Sequence, residues 1–420
     1  MKKKEMEKGI KMVLHCWQTI LLAAAVCYII SGILVRAEEQ TGATVQAEDQ
    51  TADGVSETEI SVEGQNPQEQ WCGLTYDHSM ELLYAQQFQV DYFEGGYTRI
   101  TIGEDGCFLL VPEDGEIPPS LEPDVTVLQK PVQNIYMVAT SAMDLISSLD
   151  ALDAVRLSGT DTDGWYVEDA KKAMEDGRIV YAGKYSAPDY ELILAEGCSL
   201  AVESTMIYHN PEVKEKLEEF GIPVLVERSS YEPHPMGRTE WIKLYGALLG
   251  MEEKAQEVFD AQVVRVQELE SADKTGKTVA FFYISSNGYA NVRKSNDYVS
   301  EMIALAGGTY IFEDLGDDEN ALSTVNMTME EFYAGAKDAD CIIYNSTIDG
   351  EIHTMDELLD KSPLLKDFKA VQEGNVWCTG KNLFQETTSL GDMIVDIHTV
   401  LTQEDVSEDG LKFLHRVAAE

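Results

Sequence analysis

Across residues 134–226 short apolar runs alternate with stretches whose apolar residues recur at helical spacing. Residues 135–138, 154–157, 179–182, 200–202 and 222–226 read as strands, and 143–149, 167–174 and 211–220 as the helices between them. Strands that are apolar at every position need cover on both faces, the pattern of a parallel sheet with helices on either side. Gly221, between the Lys- and Glu-rich helix and Ile222-Pro223-Val224, marks a helix stop before the next buried strand.

Two helical stretches follow, 235–250 and 252–270. In the second, Ala255, Val258, Phe259, Val263, Val266 and Leu269 fall at three- and four-residue steps and form one apolar stripe. A helix of that length spans about 28 Å, enough to run between two lobes. The alternation then restarts, with strands expected at 277–285, 340–345 and 375–378 and helices at 296–306, 329–336 and 389–401. The expected fold is therefore α/β: two Rossmann-like α/β lobes joined by a long connecting helix, with a ligand cleft between the lobes. Ahead of them, runs at 88–93, 97–102 and 107–111 around the turn signals Glu94-Gly95-Gly96 and Glu104-Asp105-Gly106 predict a small β-rich lead-in.

The chain divides on this reading into an export segment or membrane anchor (1–36), an acidic linker (37–70), the lead-in (71–124), a first lobe (125–234), inter-lobe helices (235–271) and a second lobe (272–420). Lys2, Lys3, Lys4, Lys8 and Lys11 precede a run from residue 12 to 35 without Lys, Arg, Asp or Glu, so the rest of the chain is expected outside the membrane. Cleavage before Glu38, retention as an anchor and lipidation at Cys27 are the alternatives there. The linker has nine acidic residues and no basic one, too polar to offset its own chain entropy.

Charge and cysteine content narrow the chemistry. A formal net charge of −44 repels phosphate backbones, which excludes nucleic acid as a partner. Five cysteines beyond the export segment, Cys72, Cys107, Cys198, Cys341 and Cys378, are widely spaced without C-x-x-C, which speaks against a zinc site or disulfide framework. G-x-S-x-G, the phosphate-loop signature, H-E-x-x-H and a G-x-G-x-x-G after a strand are all missing. More telling is residues 227–241, which enter the inter-lobe helices with Arg228, Tyr231, His234 and Arg238 in a proline-bearing loop. Forked arginines and aromatic faces suit an anionic or aromatic ligand, although both arginines have acidic neighbours with which to pair locally.

Over residues 125–401 the chain resembles the extracytoplasmic substrate-binding proteins of iron-siderophore, haem and cobalamin ABC transporters. The resemblance rests on residues 136–144, 188–202, 237–241, 304–308 and 327–330, in that order. It implies a non-catalytic protein without a cofactor or bound metal of its own that holds a metal chelate between two rigid lobes and delivers it to an ABC permease. The implied permease-docking carboxylates, one per lobe near a helix start, fall on Asp144, where the family usually has glutamate, and Glu330. Candidate ligand contacts on lobe-edge loops are Trp165, Tyr185, Tyr208, Arg228, Tyr231, His234, Arg238, Asn287, Tyr289, Arg293, Trp377 and Phe384. Two other classes compete: an exported metal-assisted hydrolase using His78, His209, His234 and His353, and a cell-wall interaction module whose acidic spacer matters more than its cleft.

Overall fold

The computed structural model describes residues 70–103, 105–270, 274–316 and 323–419. The expected export segment, and the acidic linker up to residue 69, lie outside the described residues.

The lead-in is a sheet in which strands lie in chain order: β1 (Gln70–Trp71), β2 (Leu74–Ser79), β3 (Phe88–Phe93), β4 (Tyr97–Ile102), β5 (Gly106–Val111) and β6 (Val125–Gln129). Gly95 and Gly96, at φ +83° and +82°, make the tight β3–β4 connection, a backbone conformation that side chains disfavour. The last strand corrects the expected boundary. Val125–Gln129, assigned from sequence to the first lobe, pairs in parallel with β5, Cys107 opposite Val125 through Val111 opposite Gln129.

The first lobe has a wholly parallel sheet of β7 (Ile135–Met137), β8 (Val155–Ser158), β9 (Val180–Tyr181), β12 (Leu200–Ser204) and β13 (Val224–Glu227), with a small hairpin of β10 (Gly183–Lys184) and β11 (Ala187–Pro188) beside it. The spatial order β13-β12-β7-β8-β9 reverses direction between β7 and β12. Its helices are α1 (Thr140–Ser148), α2 (Glu168–Glu175), α3 (Tyr190–Ala195) and α4 (Pro211–Glu219). The stretch expected as one helix over 235–250 is two, α5 (Pro235–Glu240) and α6 (Ile242–Leu249), and α7 (Glu252–Glu270) is the connecting helix. In the second lobe β14 (Thr278–Ile284), β18 (Cys341–Tyr344) and β19 (Val376–Thr379) run parallel, β15 (Ala290–Arg293) and β20 (Leu414–Arg416) flank them antiparallel, and β17 (Thr324–Met327) pairs antiparallel with β15 at the sheet edge. Helices α8 (Tyr298–Leu305), α9 (Met329–Ala336), α10 (Met355–Lys361), α11 (Lys369–Gln372) and α12 (Leu390–Thr402) cover this sheet, and β16 (Thr309–Tyr310) pairs with the start of β14.

Alternation along the strands divides their side chains between two sets of packing. Phe108 and Leu110 of β5, Ile135 and Met137 of β7, Val279 and Phe281 of β14 and Cys341 and Ile343 of β18 belong to one continuous core that also takes in Ala255, Phe259, Val263 and Val266 of α7. The intervening residues, such as Leu109, Tyr136, Phe282 and Tyr344, pack on the outer faces. Val258 and Leu269 of the expected α7 stripe are only half-buried.

Buried carboxylates fasten the parts together. Glu240, fully buried, accepts hydrogen bonds from the backbone N–H groups of Leu83 (2.9 Å), Tyr84 (2.8 Å) and Ala85 (2.8 Å) and from Lys243 Nζ (2.8 Å). Glu232 takes those of Gln86 and Gln87 together with Trp241 Nε1. Across the lobes, Asp144 accepts from Thr388 N (2.8 Å) and Oγ1 (2.5 Å), Gln385 bridges Tyr166 N and Gly164 O, and Thr239 Oγ1 donates to Thr387 O. Asp144, expected as a docking carboxylate, is thus 7% exposed and committed to the other lobe, because α1 turns that face into the inter-lobe contact. Burial outweighs the two bonds from Thr388 and raises its carboxyl to about 6.

Two predictions follow from these groups. Glu240→Ala should cost about 3–5 kcal/mol in chemical unfolding, since Lys243 and three backbone N–H groups lose their buried partner, whereas exposed Glu253→Ala should change little. Glu203 on β12 has neither carboxyl oxygen hydrogen-bonded within the protein, and burial raises its carboxyl from 4.5 to about 8. A carboxyl whose pKa rises on folding supports the fold while protonated. Its contribution is complete below about 4.5 and is lost as pH climbs through about 8. Glu203→Gln should flatten the decline in stability between those values and leave the protein more stable than wild type at pH 8 by roughly 1–3 kcal/mol.

Candidate functional site

Open parallel α/β sheets present ligand sites beyond the carboxyl ends of their strands, at the point where the strand order reverses. Here the strands adjoining that point, with their neighbours, release their chains into a common hollow. Val138, Thr140 and Ser141 follow β7, Gly159 and Thr160 follow β8, Ser204 ends β12 with Thr205 and Met206 after it, and Glu227 ends β13. All of these line a cavity of about 430 Å³ together with Lys184, Tyr185, Ser230, Arg238 and Phe384. The second lobe supplies the facing wall from its own strand ends. Thr347 and Ile348 beyond β18 and Phe384 beyond β19 line two further hollows of about 260 and 220 Å³. Phe384 belongs to all three and Thr140 to two, so they are compartments of one inter-lobe cleft. Its size is that of a small-molecule site.

The backbone comes close at Gly159, where a Cβ would meet Val138 Cα at 2.9 Å. Behind this floor Trp165, 1% exposed, donates from Nε1 to Ser158 Oγ (3.1 Å) and Thr160 O (3.2 Å) and holds the 158–160 turn in place. Glu227, almost fully buried, accepts from Ser141 Oγ (3.0 Å) and Ser229 N (2.8 Å), which ties the loops after β7 and β13 together.

Two arginines meet at the junction of the lobes. Arg238, 7% exposed, lies on the face of Tyr298, its guanidinium carbon 4.0 Å from the ring centroid, and its Nε has no hydrogen-bond acceptor within the protein. Arg293 lies 5.2 Å from the Phe384 ring centroid and 3.5 Å from Asp297 Oδ2. Asp297 caps α8 through Val299 N (2.9 Å), and burial raises its carboxyl against the pull of Arg293 and Arg238. Lys184 on the first lobe and Lys381 on the second add positive charge to the cleft. The result is a pocket of cationic and aromatic groups with hydroxyl donors, in a chain that carries −44 overall.

Of the residues expected to contact ligand, the fold brings Tyr185, Arg238, Arg293 and Phe384 to the cleft. The others line none of the three compartments. Trp165 is structural, as described. Arg228 reaches away to Asp105 and Gln87 of the lead-in and covers the Tyr231 ring, and Tyr208 sits beside the same Asp105. His234 caps α5, its Nδ1 accepting from Met236 N, and stacks on Tyr84. Trp377 is wholly buried within the second sheet, Nε1 bonded to Asn375 and Arg416 over its ring. Asn287 and Tyr289 lie at the exposed turn between β14 and β15, outside the three compartments. Sequence reasoning passed over Thr140, Lys184, Met206, Tyr283, Ile348 and Lys381. Their shared signal was position just past, or at the end of, an apolar strand. The four histidines considered for a hydrolase do not converge: His78 stacks on Tyr92 in the lead-in, and His234 serves as a cap.

Comparison with known proteins agrees with this geometry. The family described as periplasmic binding protein matches residues 138–383. Two proteins of Methanocaldococcus jannaschii named uncharacterized lipoproteins are each 26% identical, one over 79% of this chain and 82% of its own length, the other over 80% and 86%. Among solved structures, the periplasmic haem-binding protein of Vibrio cholerae superposes with a TM-score of 0.53 at 17% identity, over 64% of this chain and 99% of that one. A periplasmic haem-binding protein of Pseudomonas aeruginosa gives 0.53 at 15%, over 68% and 98%. The family binds substrates for transport and does not catalyse, so the hydrolase alternative finds no support. With more than half of its length matched and with two lobes, a connecting helix and a cleft at the strand ends, the chain belongs to the periplasmic binding protein family, whose members work outside the cytoplasmic membrane.

Proposed function

We propose that this protein captures a metal chelate in the inter-lobe cleft and delivers it to an ABC permease, with a ferric siderophore as the first choice and haem or a corrinoid as alternatives. The observation that carries this reading is Arg238, a buried guanidinium at the cleft whose Nε has no acceptor in the protein, beside the aromatic wall of Phe384. Carboxylate or catecholate oxygens on a chelate offer such a donor the bond it lacks, and Tyr185, Tyr283 and Phe384 offer apolar faces to the rest of the ligand. The solved structures with similar folds include proteins named for haem binding and for ferric hydroxamate transport. The names of the two archaeal relatives favour a lipid- or membrane-anchored N-terminus, which fractionation and the mass of the mature chain distinguish from release at Glu38.

Titration with a ferric siderophore, haemin and a corrinoid, read by tryptophan fluorescence with Trp165 behind the cleft floor as reporter, should show one ligand bound per chain and no chemical conversion. Arg238→Ala and Arg293→Ala should each weaken that ligand by about 1–3 kcal/mol, while Arg228→Ala should leave affinity unchanged. No response to all three classes from folded protein would overturn the ligand class.

Docking is proposed to rest on one exposed carboxylate per lobe. On the second lobe this is Glu330 in the first turn of α9. On the first lobe, with Asp144 buried, the exposed helix-start carboxylates are Glu168, Asp169, Glu191 and Glu212. Glu330→Lys combined with lysine at the correct first-lobe position should abolish uptake with ligand affinity unchanged. Normal uptake in all four double variants would refute the arrangement.

A further inference from the structure

Outside the cleft compartments, three side chains with metal-ligating atoms meet at the edge of the second lobe. Glu351 and His353 follow the cleft-lining turn that ends at Gly350, and His415 is the central residue of β20. One ligand atom from each lies within 4.8 Å of the other two, and among the described residues no other set of three His, Cys, Asp or Glu side chains converges in this way. The two imidazoles stack with centroids 4.8 Å apart, and Glu351 Oε2 is 3.7 Å from His353 Nε2.

We propose that Glu351, His353 and His415 bind one divalent transition-metal ion. Two imidazoles and a carboxylate form a borderline donor set that favours zinc, cobalt, nickel or copper over calcium or magnesium, which prefer oxygen alone. Bonds from outside the trio hold its members in place, as outer partners do in metal sites. Glu351 Oε1 accepts from Lys381 N (3.0 Å), which leaves Oε2 on the histidine side. His415 Nε2 donates to Ile352 O (3.0 Å), and that bond sets the ring's neutral tautomer. The backbone of His353 is fixed at both ends, its N–H by Glu357 Oε2 (2.7 Å) and its carbonyl by Ala418 N (2.8 Å).

An acidic surface gathers histidines and carboxylates by chance, and a stacked imidazole pair is also an ordinary packing contact. What favours a site is that the ligands come from two segments distant in sequence and are braced by separate partners. Donor atoms on one tetrahedral ion sit about 3–3.5 Å apart, so the trio must close by roughly 1 Å, and exposed His353 has the freedom to do so. A bound ion would join β20 to the loop leaving the cleft wall, with three protein ligands and one position open to water or an outside donor.

The test uses the full chain without a histidine tag, stripped with chelator and titrated with Zn²⁺ or Co²⁺ in excess Mg²⁺ to occupy the scattered surface carboxylates. One equivalent should bind, Co²⁺ should develop visible absorption of a low-coordinate nitrogen and oxygen site, and Zn²⁺ should raise the Tm. His353→Gln, at an exposed position that does not threaten the fold, and His415→Gln should each weaken binding at least about 10-fold. Arg238→Ala should not affect it, so the outcome is separable from that of the cleft ligand. The absence of a saturable equivalent in wild type would overturn the proposal, as would binding that survives His353→Gln and His415→Gln together, which would assign the ion to the acidic surface.

Discussion

The structure depends on one apolar core that continues without interruption from the lead-in sheet through the first lobe and the connecting helix into the second lobe. Phe88, Met137, Phe259 and Phe281, drawn from four different parts of the chain, belong to it. Opening the lobes like a hinge would expose that core to water at about 25 cal/mol for each Å² uncovered. The strand ends of the two sheets are therefore held facing each other across the cleft.

Polar groups then fix what the apolar core leaves loose. Glu240 and Glu232 accept the backbone N–H groups of residues 83–87, a segment without regular structure of its own, and so fasten the lead-in to the base of the inter-lobe helices. Asp144 and Gln385 accept backbone N–H groups across the lobes, and Thr239 of α5 donates to Thr387 O of the second lobe. These bonds are directional and buried, so they set register where packing alone would tolerate sliding. The lead-in thereby helps to position residues 227–241, and Arg238 among them.

The electrostatics of the cleft run against those of the molecule. An overall charge of −44 disfavours the approach of anions, yet Arg238, Arg293, Lys184 and Lys381 gather where the lobes meet. Low dielectric around a buried guanidinium strengthens its hold on an anionic ligand once seated. For the chelate proposed above, selectivity would rest on fit inside the cleft, with little help from long-range attraction.

The sequence by itself determined the layers. Runs such as Cys341-Ile342-Ile343-Tyr344 must be buried on both faces, and the stripe through Ala255, Phe259, Val263 and Val266 must face a core, because these periodicities are local properties of strand and helix geometry. For the same reason the strand ends, and hence the neighbourhood of the site, could be read along the chain. Only the tertiary structure decided which polar and aromatic residues point into the cleft. Arg228 and Arg238 lie only ten positions apart, yet one reaches Asp105 and the other Tyr298, residues distant in sequence. Trp165 and Trp377 resembled lobe-edge contacts and proved to be buried, and Asp144 resembled a surface carboxylate and proved to join the lobes. A side chain's partner is set by which segments the fold brings alongside it, and nothing in the local pattern of apolar and polar residues encodes that choice.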